Sequence, residues 1–130
     1  AQNSGSALRL IGVQSEASPF MHALFHSHTQ EGIEDNLSLA DGLSGAVEET
    51  SITIPLVQAL VDDMILVSEA DVSEAIRFAW DKYSERIEGS AAVTIAAIIS
   101  GKIAYRPAVL IITGGNIDPQ KHSEILHARA

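Results

Sequence analysis

With 130 residues the chain can bury one hydrophobic core but not two, so a single domain is expected. A hydrophobic content of 46% excludes a disordered chain, and a net charge of -9 without any basic run argues against nucleic acid and anionic membrane as partners. No cysteine is present, which removes disulfides, thiolate zinc sites and thiol nucleophiles.

The longest apolar run, Ala91 to Ile99 interrupted by Thr94, falls well short of the ~20 residues of a membrane span. No secretory leader pattern opens the chain, so a soluble cytoplasmic domain is expected. Residues 1–7 are small and polar and read as a disordered end or a cloning remnant. The domain itself is expected over residues 8–130.

Leu8 to Val13 reads as a first strand and residues 14–17 as a loop. Ser18-Pro19 then opens a helix to about His28, with Ser18 as N-cap. A polar, acidic loop follows to Leu39, and Asp41, Gly42 and Gly45 mark a backbone-lined turn. Thr53 to Val61 is a short helix and Met64 to Val67 a second strand. Ser68 and Asp71 form a capping-box variant that starts a helix running to about Ile87. Its buried stripe is read as Val72, Ile76, Ala79 or Trp80, and Tyr83.

Ser90 to Ser100 is small or apolar on every face, with Gly101 as its C-terminal stop. Such a helix is buried all round, an odd demand in so short a chain, and it implies that the domain sits against something larger. Ala108 to Ile112 reads as a third strand, buried on both faces. After it Thr113-Gly-Gly-Asn116 turns sharply, and Asp118-Pro119 starts a final helix to about residue 128. Alternating strands and helices predict an α/β fold, a three-layer αβα arrangement on a small, mostly parallel sheet.

His22 and His26 are four apart on one helix with His28 nearby, yet no carboxylate or further ligand joins them at metal spacing. A surface histidine face is the preferred reading, and His122 and His127 are read as exposed. The G-x-S-x-G elbow, the Walker loop and the dinucleotide fingerprint are all absent. Three loops remain in which a polar group stands beside glycine: Asp41-Gly42, Glu88-Gly89 and Thr113-Gly-Gly-Asn116. The third would lie at a strand's carboxyl end, where open α/β sheets bind ligands. Asp41 could equally be an ordinary turn residue, and Glu88 could simply face the positive end of its helix.

Several motifs then match together: Asp41-Gly-Leu-Ser-Gly, Val47-Glu-Glu-Thr-Ser-Ile-Thr, Leu60-Val-Asp-Asp, Leu66-Val-Ser-Glu, Ile87-Glu-Gly-Ser-Ala-Ala, Ile99-Ser-Gly-Lys102 and Ile112-Thr-Gly-Gly-Asn-Ile-Asp-Pro119. In order and spacing the chain resembles the C-terminal part of threonine/serine dehydratases, pyridoxal-phosphate enzymes of the tryptophan-synthase-β-like (type II) fold that also include serine racemase. The resemblance runs from about Leu8 to Leu126.

It implies that Thr113 holds the pyridine nitrogen of the cofactor, that Gly114 and Gly115 admit the ring, and that Gly42 and Glu88 lie on the cofactor side. A hydroxyl partner does not enforce protonation of that nitrogen, which suits β-elimination of water. The family's Schiff-base lysine, carried in an S-x-K-x-R-type motif, has no match among Lys82, Lys102 and Lys121. The glycine-rich phosphate loop is missing too. Gln14 stands where some relatives carry a cation-binding glutamate, so no metal is expected.

The resemblance therefore predicts part of a dehydratase: an excised fragment, one half of a split protein or a truncated product. Alone it would neither attach pyridoxal phosphate nor turn over threonine. Expected partners are the missing N-terminal catalytic half or a second copy in a homodimer, with an amino acid as substrate of the intact enzyme. The alternatives are a non-catalytic binding or assembly domain, or a piece of a racemase or synthase of the same fold.

Overall fold

The computed structural model describes residues 8–128; the expected disordered end at 1–7 lies outside the described residues. Two parallel strands, β1 (Ile11–Ser15) and β2 (Asp63–Val67), pair in register from Ile11 opposite Asp63 to Ser15 opposite Val67. Between them run α1 (Phe20–Ser27), a 3-10 turn (Asp41–Leu43) and α2 (Thr53–Leu60). After β2 come α3 (Glu69–Tyr83), α4 (Gly89–Ile99) and α5 (Pro119–His127). α1 packs on α2 and β2, while α4 contacts both strands, the 3-10 turn and α3, which gives the expected layers.

Local chemistry explains several of the boundaries. Ser68 Oγ accepts from Asp71 N at 3.1 Å and Asp71 Oδ2 accepts from Ser68 N at 3.0 Å, so the capping box closes in both directions. Asp118 Oδ1 accepts from the backbone N–H groups of Gln120 and Lys121, each at 2.9 Å, ahead of Pro119. Gly101 takes a positive φ of 76° and ends α4. No helix among the described residues is long and apolar enough to cross a membrane.

The core gathers around α4. Val67, Val72, Ala75, Ile76, Ala92, Ala96 and Ala97 are fully buried or nearly so, with Ile87 and Ile125 closing the edges. α3 and α4 pack against each other, and the alanines of both helices are buried in this core together with Ile76. The expectation of a helix without a polar face holds over most of α4. Its last turn is different: Ile99 is exposed, and with Ile95 and Ile98 it lines an open apolar groove of about 560 Å³ shared with Phe78, Leu110 and Ile112.

Several expectations need correction. The third strand is absent among the described residues: 108–112 takes no regular secondary structure and joins no sheet, and Val109 and Ile111 are 85% and 65% exposed. Periodicity reports that a segment suits a buried strand, whereas the ladder partner has to come from elsewhere in the polypeptide. β1 begins later than expected and includes Gln14 and Ser15. Ser18 does not cap α1; its hydroxyl donates to Asp35 Oδ1 at 2.7 Å and accepts from Gly45 N at 2.9 Å, tying the loop to the helix start. α3 stops at Tyr83, where Ser84 turns left-handed at φ 55°, and its buried stripe takes Ala79 while Trp80 and Tyr83 lie outside the core.

Candidate functional site at the N-terminus of α4

The three glycine-bearing loops meet at the N-terminus of α4. Glu88 occupies the N-cap position, but its side chain makes no bond to its own helix. It reaches instead to the turn after residue 112, where Glu88 Oε2 accepts from Asn116 N at 3.0 Å. The backbone returns the contact, Glu88 N donating to the Gly114 carbonyl at 3.2 Å. Glu88 thus stands at the positive end of α4, as one of the two sequence readings has it, while its carboxylate also holds the turn at Asn116.

The glycines are explained by close approach. A Cβ on Gly114 would lie 2.4 Å from Glu88 Oε1, and one on Gly115 would lie 2.7 Å from the Arg86 carbonyl. Gly42, in the 3-10 turn, stands with its missing Cβ 2.8 Å from Ser90 Oγ. Gly89 is the tightest of all: a Cβ there would fall 1.9 Å from the Leu39 carbonyl oxygen. The structure thus brings Gly42, Glu88, Gly114 and Gly115 around one helix end. Thr113 stands exposed beside them, and Asp41 is exposed with its carboxylate accepting from its own Gly42 amide at 3.0 Å.

Two features escaped the sequence. Ser90 Oγ is buried at this helix end without a hydrogen-bond partner among the described residues, an unsatisfied group of the kind that accompanies a ligand, water or further polypeptide. The carboxylate of Glu69 collects Ser15 Oγ, Ser38 Oγ at 2.7 Å and Leu39 N at 2.6 Å. Glu69 follows a capping serine and therefore reads from sequence as a first-turn acid; only the fold brings residues 15 and 38 to it.

Gln14 is buried and bonded at both ends of its amide, Nε2 donating to the Leu43 carbonyl and Oε1 accepting from His22 N, both at 3.0 Å. The histidines also act as ties. His26 Nε2 is 2.9 Å from the Met64 carbonyl oxygen and 3.8 Å from Asp63 Oδ1. Burial and the neighbouring His26 lower the basicity of half-buried His22, against the opposing pull of Asp63. Among the described residues no three His, Cys, Asp or Glu side chains gather as a metal site. His122, expected at the surface, is buried edge-on against Trp80, and burial followed by the nearby Arg86 charge lowers its pKa.

A family profile described as "Pyridoxal-phosphate dependent enzyme" matches residues 1–114. The catabolic L-threonine dehydratase of Escherichia coli K12 is 38% identical over 122 residues, covering 91% of this chain and 37% of that protein. The serine racemase of Dictyostelium discoideum is 34% identical over 94 residues, 69% of this chain and 28% of the racemase. The processed threonine deaminase isoform 2 of Solanum lycopersicum superposes with a TM-score of 0.72 at 29% identity, over 90% of this chain and 33% of that one. The chain thus spans between 28% and 37% of the length of these curated relatives. By profile, identity and fold, it belongs to the pyridoxal-phosphate dependent enzyme family.

Proposed function

We propose that this chain is the C-terminal portion of the large domain of a cytoplasmic, pyridoxal-phosphate-dependent threonine/serine dehydratase. The intact lyase would eliminate water from a β-hydroxy amino acid to give a 2-oxo acid and ammonia. One observation carries the reading: Gly42, Glu88, Gly114 and Gly115 converge on the N-terminus of α4, in a chain whose relatives include threonine dehydratases. Residues 8–130 form one unit that is completed by polypeptide bearing the cofactor's lysine and phosphate loop.

The residues present suit the cofactor from one side. Thr113 offers an exposed hydroxyl, and the buried Ser90 hydroxyl next to Gly42 leaves polar demand at the mouth of α4. Thr113 would hold the pyridine nitrogen through a neutral hydrogen bond. Glu88 would keep the Gly114-Gly115 turn in place by holding the Asn116 amide. Bound pyridoxal phosphate supplies the electron sink for α-proton loss and departure of the β-hydroxyl. Lys82 and Lys102 are exposed and Lys121 half-buried on α5, and none has the motif of a cofactor-bearing lysine.

Exposed Val109, Leu110, Ile111 and Ile112 with the adjoining apolar groove support an incomplete surface, to be covered by the catalytic half or by a second copy. Co-expression with the N-terminal portion of the E. coli relative, followed by borohydride reduction and peptide mass mapping, tests the assignment. Cofactor label is expected on a lysine of the co-expressed portion and on none of this chain's three. Label on Lys82, Lys102 or Lys121 would overturn it. A racemase of the same fold is the second reading, favoured by the likeness to the Dictyostelium serine racemase. Formation of D-serine instead of a 2-oxo acid by the complemented protein would select it.

A further inference from the structure

We infer that Glu69 is the positioning residue of this site, acting on the N-terminus of α4 through the backbone of Leu39 and Ala40. Its functional meaning rests on the reading of the α4 end as the cofactor side, whereas the geometry stands without that reading. Glu69 is the first residue of α3, at the carboxyl end of β2, and its carboxylate faces away from its own cap, which Ser68 and Asp71 already close.

Oε1 accepts from Ser15 Oγ at the end of β1 and from Ser38 Oγ at 2.7 Å, and Oε2 accepts from Leu39 N at 2.6 Å. Ser15 Oγ in turn accepts from Ala17 N at 3.1 Å, and Ser38 Oγ from Ala40 N at 2.9 Å. One side chain therefore joins both strand ends to residues 38–40.

That segment is the surface on which α4 is seated. The α-carbon of Gly89 lies so close to Leu39 that a Cβ would overlap its carbonyl carbon and oxygen, at 2.3 and 1.9 Å. Ala40 is wholly buried, and directly after it the 3-10 turn puts Gly42 against Ser90. With no spare space at Gly89, the Leu39 carbonyl fixes how far α4 can move and hence where Glu88 meets the Gly114 turn. Hydrogen bonds to a carboxylate are the strong class, and a partly buried one that holds a backbone amide resists local opening.

Amide spectra and hydrogen exchange of the full chain test this, with Glu69→Gln, Glu69→Ala and Ser15→Ala compared. Both Glu69 variants are expected to move the Leu39, Gly42, Gly89 and Ser90 amide resonances. They should also speed exchange at Leu39 by roughly 10- to 100-fold, Gln less than Ala because it keeps one acceptor oxygen. Ser15→Ala removes a different Glu69 contact and should leave Gly89 and Ser90 in place. If Glu69→Ala does not fold, Glu69→Gln carries the test. A folded Glu69 variant whose Gly42, Gly89 and Ser90 amides stay put would overturn the inference, as would Ser15→Ala moving them equally. The cofactor reading fails separately: the shifts would persist while the Gly114 and Gly115 amides ignored pyridoxal phosphate in the complemented protein.

Discussion

Replacing Gly89 by alanine sets two effects of opposite sign against each other. Alanine is the better helix former by about 1 kcal/mol in a helix interior and by less in the first turn. Against this, the new methyl would fall 1.9 Å from the Leu39 carbonyl oxygen and 2.9 Å from Ala40 N. Ordinary contact needs roughly 1.5 Å more room, and the obstacle is backbone, not the end of a flexible side chain. Overpacking of this kind costs about 1–3 kcal/mol, and α4 cannot retreat without losing its own packing. With backbone as the obstacle the upper end of that range applies, and after the gain in helix propensity a net loss of about 2 kcal/mol is expected, or roughly 5–10 °C in Tm for a chain of this size.

Gly101→Ala is the control, because its φ of 76° is strained for alanine but nothing lies within 4 Å. It should lose only about 1 kcal/mol. Thermal and urea unfolding followed by circular dichroism measure both. A Gly89→Ala chain as stable as the unaltered one, or more stable than Gly101→Ala, would refute the seating of α4 on Leu39.

Ile76 of α3 is wholly buried in the core, so Ile76→Ala should destabilise by about 2–5 kcal/mol in urea titration. His122 has its pKa lowered by burial and by Arg86, so the unfolded chain binds the proton more readily than the folded one. Its contribution to stability is therefore full above the ordinary histidine value of about 6.5 and falls as pH drops through it. His122→Phe should flatten that fall in unfolding measured from pH 8 to 5, and an unchanged pH profile would contradict it. The exposed apolar segment 108–112 is expected to drive self-association of the isolated chain. Light scattering should give a dimer mass, with Ile111→Lys returning it to the monomer.

Much of the chain could be read before its fold was known, wherever the determining chemistry is local. The Ser68–Asp71 and Asp118–Pro119 helix starts, the apolar α4 and the β2 strand are specified within a few residues. The convergence of Gly42, Glu88 and Gly114 came from a resemblance spread over several motifs, and the structure supplies its contact geometry. Residues whose roles depend on distant partners were not legible. Glu69 gathers groups from residues 15, 38 and 39, and His122 is buried because α5 lies on Trp80 of α3. The segment 108–112 shows the opposite failure. Its side chains carry a buried-strand pattern, but pairing is a property of neighbours, and none of the described residues supplies one.

Ammonia release from L-threonine in the presence of pyridoxal phosphate tests the central claim most directly. It should be measured on the chain alone and on the chain co-expressed with the N-terminal portion of the E. coli relative. No release is expected from the chain alone, release is expected from the complemented protein, and Thr113→Ala should remove most of the latter's activity, which Thr113→Ser restores. Turnover by the chain alone, or a complemented protein indifferent to Thr113, would contradict it.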